Sequence, residues 1–116
     1  MMDPQRGELW LADLDPTIGA EIGKTRPVVV LNRPDVGRLP LRVVVPVTDW
    51  KPIYERYPWM TLLEPSDTDG LTKASAADAF QVASLSLERF KQRLGILADE
   101  PLADIAAAVS LVIGHR

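Results

Sequence analysis

Arg26 and Thr48 are the residue types that suit a phosphodiester: a planar guanidinium clamps two phosphate oxygens at once, and a hydroxyl donates a further hydrogen bond. Arg26 stands at the mouth of the β-branched run Pro27–Leu31, and Thr48 closes the run Leu41–Val47. If the two runs are neighbouring antiparallel strands, those ends lie side by side. Singly, each has an ordinary explanation, a surface arginine and a good strand residue; the pair is what points to chemistry. A second constellation is Trp50–Trp59, WKPIYERYPW, which interleaves four aromatic residues with Lys51 and Arg56. Splayed single-stranded bases stack on such rings and on guanidinium planes, so Trp50, Lys51, Tyr54 and Arg56 are candidate nucleic-acid contacts. Trp59 is expected in the core.

Competing chemistries fail on spacing. Gly19-Ala-Glu-Ile-Gly23-Lys24-Thr25 resembles a nucleotide-binding P-loop, but it has one residue too few between the glycines. It also runs through Arg26-Pro27 into a β-branched strand, not into the helix whose N-terminal amides would hold the phosphates. His115 is the single histidine and there is no cysteine, so neither a multi-histidine metal site nor a two-histidine ribonuclease is available, and a Ser-His-Asp site would hang on a histidine at the chain end. Asp67-Thr-Asp-Gly70 stops short of a calcium loop. The expected site uses no metal and no cofactor.

The 116 residues suffice for one core, and residues 1–116 are read as a single domain. A net charge of −3 argues against coating nucleic acid through bulk electrostatics, while leaving room for a local basic site. No apolar run reaches membrane-span length, no basic patch precedes an apolar leader, and no disulfide is possible. A soluble, cytoplasmic protein without membrane contact is expected.

The elements that must position these residues follow from local pattern. Glu8–Leu14 alternates and exits through Asp15-Pro16-Thr17-Ile18-Gly19, a turn composition. Pro27–Leu31, Leu41–Val47 and Trp59–Leu63 read as strands, with Pro46 at a strand end or bulge. Ala74–Ala83 is assigned to strand despite its alanines, Leu85–Phe90 has the spacing of one helical turn, and Gln92–Leu97 can close the sheet. Asp99 is the expected helix cap, Pro101 fits the first turn and Gly114 the position past the end, with Leu102, Ile105, Ala106, Val109, Val112 and Ile113 on one face. The class is α+β, an antiparallel sheet with one C-terminal helix.

RGELWLADLDP at Arg6–Pro16, GAEIGKTRPVVVL at Gly19–Leu31 and VVVPVT at Val43–Thr48, in that order, resemble the MazF/PemK family of toxin endoribonucleases, and LSLERFKQRLGIL at Leu85–Leu97 is similar too. The resemblance implies a small SH3-like, CcdB/PemK-type antiparallel β-barrel with a C-terminal α-helix. The implied protein is a homodimer that cuts single-stranded RNA at short motifs by 2′-OH attack, leaving 2′,3′-cyclic phosphate and 5′-OH ends. It casts Arg26 and Thr48 as the catalytic pair. The loop carrying Glu21, Lys24 and Thr25 becomes a mobile flap over the active site that contacts RNA, with Asp78 a further contact; the resemblance also gives Arg26 the proton transfer, for which a guanidinium is a poor base, so Glu21 is read as the alternative general base. It also implies a cognate antitoxin whose acidic, disordered C-terminal segment enters the RNA groove. The chain departs from the pattern at Ala79 and Gln81, and at Ala20, where relatives often carry serine. Two other functions share this fold: a CcdB-type gyrase poison, whose tail tryptophan is missing from Val112-Ile-Gly-His-Arg116, and a non-catalytic binding module.

Overall fold

Near-continuous apolar stretches in three adjacent strands build two apolar faces on one sheet. In the computed structural model, which describes residues 2–115, β1 (Glu8–Asp13), β2 (Thr25–Val30) and β3 (Leu41–Asp49) lie antiparallel, with Leu9 opposite Val29 and Val29 opposite Val45. Because side chains alternate faces along a strand, Leu9, Val29, Leu31, Val45 and Val47 share one face with Leu63, Ala77, Leu97 and Ile105. Trp10, Ala12, Val28, Val30 and Val44 share the other with Leu85 and Phe90.

The remaining strands are β4 (Met60–Leu63), β5 (Ser75–Asp78), β6 (Ala83–Ser86) and β7 (Phe90–Ile96). The order is β4-β5-β3-β2-β1-β7, with β6 also on β3. β3 is the spine: β2 covers one edge, while β6 pairs with Leu41–Val44 and β5 with Val47–Asp49 along the other. The strand expected over Ala74–Ala83 is therefore two strands separated by a 3-10 turn at Ala79–Gln81. Val43 bonds to Leu31 and Asn32 on the β2 side, so alternation aims Pro46 at the opposite edge, where that turn interrupts the ladder. A proline without an N–H sits there at no loss of pairing. The helical turn read over Leu85–Phe90 is a 3-10 turn confined to Leu87–Arg89; the residues before it belong to β6.

Helix α1 (Asp99–Val112) packs over β4 and the 3-10 turn at Ala79–Gln81. Its N-cap is Ala98, not Asp99; Asp99 and Glu100 instead lie in the first turn, where carboxylates complement the helix dipole. The C-terminus closes as a Schellman motif: Gly114 takes φ +78 and donates to the Leu111 carbonyl, and His115 donates to that of Ser110. Ile105 and Ala108 are the buried helical residues, whereas Ile113, expected on the inner face, is 67% exposed beyond the last turn. Among the described residues no helix is long and apolar enough to cross a membrane.

Candidate active site and base-binding surface

Arg26 precedes Pro27, and a residue before proline is confined to extended backbone, so the strand conformation at Arg26 is preset locally. It pairs with Ala12 of β1. On its other side the β2–β3 ladder ends at Val28 opposite Pro46; the same register carried two residues further puts Arg26 across from Thr48. Thr48 is held from its far side by Ala76 of β5. Both line one open groove of about 290 Å³, with Thr25, Asp49 and Ser75 beside them and Gly70–Lys73 as a wall.

The electrostatics of the groove are unusual in one respect. The Nε of Arg26 is buried and has no hydrogen-bond partner among the described residues, and no described carboxylate pairs with its guanidinium. A half-buried arginine is ordinarily matched by an acceptor. Here the nearby carboxylate, Asp49, is taken by Lys73 at 3.0 Å. Arg26 is thus held on a strand that borders an open groove, with its Nε without a hydrogen-bond partner among the described residues. The wall is set by a close backbone crossing: the Ile96 amide donates to the Thr68 carbonyl at 2.8 Å, and Gly95 and Gly70 give the two segments room to approach.

The Gly-rich loop between β1 and β2 is hydrogen-bonded at its base and at its tip. Its base closes through Leu14 N–H to the Lys24 carbonyl, 2.9 Å, with Lys24 at φ +65. Its tip is clasped by Gln81, whose Oε1 accepts from Ile22 N–H at 2.6 Å and whose Nε2 donates to the Ala20 carbonyl at 3.2 Å. The clasp draws the loop over the 3-10 turn. Glu21, accepting from Ile18 N–H at 2.7 Å, therefore lines hollows shared with Phe80 and Gln81 that include neither Arg26 nor Thr48. Lys24 and Thr25 are exposed, Thr25 at the groove.

Asp78 is 6% exposed at the end of β5. Burial pushes its carboxyl above the ordinary value, outweighing the opposing hydrogen bonds from Phe80 N–H and the Gln81 amide.

The aromatic residues form one continuous run. Trp50 meets Tyr54 edge-on at 5.9 Å between centroids, Tyr54 meets Tyr57 at 6.0 Å, Tyr57 stacks on Trp59 at 4.7 Å, and Trp59 meets Phe80 edge-on at 5.6 Å. Trp59, expected in the core, is half-buried and belongs to this surface. The run starts two residues past Thr48, on the segment carrying exposed Lys51 and Arg56, and ends beside the Gly-rich loop. Sequence reasoning missed Phe80, Gln81 and Lys73 as site residues. Phe80 and Gln81 sit on the strand-interrupting turn, which carried no turn signal.

Comparison with known proteins agrees with this architecture. Residues 5–113 match the family described as PemK-like, MazF-like toxin of type II toxin-antitoxin system. Endoribonuclease MazF9 of Mycobacterium tuberculosis is 34% identical over 113 residues, covering 92% of this chain and 93% of that protein. In fold, the crystal structure of MazF from Deinococcus radiodurans superposes with a TM-score of 0.81 at 24% identity, covering 98% of this chain and 99% of that one. An endoribonuclease in complex with its cognate antitoxin from a mycobacterial species gives 0.75 at 19% identity, covering 97% and 96%. With residues 5–113 matched by the family model and a relative 34% identical over 92% of its length, this chain belongs to the PemK-like, MazF-like toxins of type II toxin-antitoxin systems.

Proposed function

We propose that this endoribonuclease cuts single-stranded RNA at short sequence motifs, without a metal, by attack of a ribose 2′-OH on the adjacent phosphodiester. The observation that supports the reading is Arg26, buried at Nε without a hydrogen-bond partner there among the described residues, bordering one groove together with Thr48. A phosphodiester supplies the acceptors this arrangement lacks.

In the proposed step the O2′–P bond forms and the P–O5′ bond breaks, giving a 2′,3′-cyclic phosphate and a 5′-OH. Charge grows on the non-bridging oxygens, and Arg26 and Thr48 stabilise it as preorganised donors. Guanidinium groups keep their proton in proteins, so Arg26 acts by charge. A general base takes the 2′-OH proton and a general acid returns one to the leaving O5′; of the candidate carboxylates Asp49 borders this groove, while Glu21 lines a separate hollow. Lys73, released from Asp49 as RNA enters, adds a second cation for the backbone. Thr25 borders the groove, Trp50 and Tyr54 offer stacking faces, and Lys51, Arg56 and Lys24 contact phosphates. DNA, without the 2′-OH, binds but is not cut.

The partner reading follows the same chemistry: an acidic, disordered segment of a cognate antitoxin presents carboxylates to Arg26 and Lys73, and the toxin works in the cytoplasm as a homodimer. The test is incubation of the pure protein with single-stranded RNA in EDTA, followed by mapping of the ends. Metal-independent cuts with cyclic-phosphate and 5′-OH ends are expected. Intact RNA, or cleavage only on metal addition, refutes the reading.

A further inference from the structure

The far end of the aromatic run is a hollow of about 460 Å³ lined by Ala20, Glu21, Trp59, Asp78, Phe80 and Gln81. Its volume falls within the rough 300–1,000 Å³ span of small-molecule sites. Phe80 forms one side and is 64% exposed, an unusual setting for a phenylalanine that has a 3-10 turn rather than a core beneath it. Trp59 stands edge-on to it. The polar groups of the hollow are mostly acceptors. The Gln81 amide is engaged on both its atoms by the Gly-rich loop and Asp78. Among the described residues the Glu21 carboxylate accepts one hydrogen bond, through Oε1 from Ile18 N–H.

We propose that this hollow is a base-specificity pocket for an unpaired guanine of the RNA, stacked on Phe80, with its N1–H and N2–H₂ donors on the Glu21 carboxylate. The inference rests on the ribonuclease reading above and names a contact for its sequence preference. The charge excludes the backbone: a carboxylate repels phosphates and admits a polyanion only through the donor edge of a base. Guanine alone among the four bases presents two adjacent donors on its Watson–Crick edge, matching the two oxygens of a carboxylate, whereas adenine and cytosine set an acceptor beside their amino group. The aromatic run from Trp50 joins the pocket to the end of the strand that carries Thr48, so one strand of RNA can occupy both. Gln81 is a positioning residue that holds Glu21 here through the loop.

The experiment is limited cleavage of a randomised single-stranded RNA by the full chain, with the ends sequenced, for the wild type, Glu21→Gln and Phe80→Ala. Both side chains are exposed, so neither substitution removes core packing. The wild type should select guanine at one position, and Glu21→Gln should lower that selection about tenfold or more. Phe80→Ala should raise KM about tenfold through lost stacking. In the best RNA, inosine, which lacks the N2 amino group, should lower wild-type kcat/KM several-fold and make little difference to Glu21→Gln. Cleavage with no guanine preference, or with one that Glu21→Gln leaves intact, overturns the pocket and leaves the nuclease standing. Failure of the wild type to cut any RNA overturns both.

Discussion

Replacing Arg26 by alanine separates catalysis from stability, because the structure gives the two effects opposite weights. The guanidinium is one fixed donor to the charge that develops on phosphorus, and losing one such donor costs roughly 10²–10³ in rate, about 2.7–4 kcal/mol. Folding should hardly notice. The buried Nε has no acceptor among the described residues, and leaving a donor buried and unpaired costs about 1–3 kcal/mol. Removing it relieves that cost while forfeiting the packing of a half-buried stem, about 0.8 kcal/mol per buried methylene, so the two nearly cancel. The expected outcome is a Tm within a few degrees of wild type and a cleavage rate lower by 10²-fold or more, read by thermal unfolding and by cleavage of an end-labelled RNA in EDTA. Arg26→Lys keeps the charge without the two-toothed geometry, and should recover only part of the loss. Thr48→Val should cost a similar factor, and the double variant less than the product, since both groups act on one phosphoryl. Cleavage within a few-fold of wild type in folded Arg26→Ala would falsify the assignment. A Tm drop of ten degrees or more would instead make Arg26 a structural residue.

Two further substitutions probe the frame around the groove. A Cβ at Gly95 would lie 2.6 Å from the Asp69 carbonyl carbon and closer still to the Thr68 oxygen, both backbone, so Gly95→Ala must push the groove wall off β7. Overpacking of this kind costs about 1–3 kcal/mol, a Tm drop on the order of 4–8 °C per kcal/mol in a small domain, and an unchanged melting curve would reject the crossing. Asp78 titrates above its ordinary value because burial disfavours its anion, so the native state binds the proton more tightly than the unfolded chain. Stability from this group is therefore intact below the unfolded pKa and falls as pH rises through the raised one. The stability of Asp78→Asn relative to wild type should accordingly increase across that window above pH 3.8 and then level off; a difference independent of pH, measured by denaturant titration, counts against the buried anion.

Local chemistry alone determined much of this protein. Loose alternation marked β1 and β-branched composition marked β2 and β3, Pro27 preset the backbone at Arg26, and Pro101 and Gly114 marked the ends of the helix, because each rests on dihedral and side-chain rules that act within a few residues. Motif order along the chain carried the family. What it could not reach were relations between segments far apart in sequence: Arg26 without an acceptor, the Lys73–Asp49 pair beside it, and Gln81 clasping the loop at Ala20 and Ile22. Ala74–Ala83 shows the boundary best. Its alanines favour helix and its place between strands favours β, yet neither marks the turn at Ala79–Gln81, opposite Pro46, a residue with no amide to offer that edge. The break belongs to the neighbouring strand as much as to its own residues, and it is the break that puts Phe80 and Gln81 at the end of the aromatic run. Burial and pairing are properties of the folded neighbourhood, so only the tertiary structure decided which polar groups were left without partners.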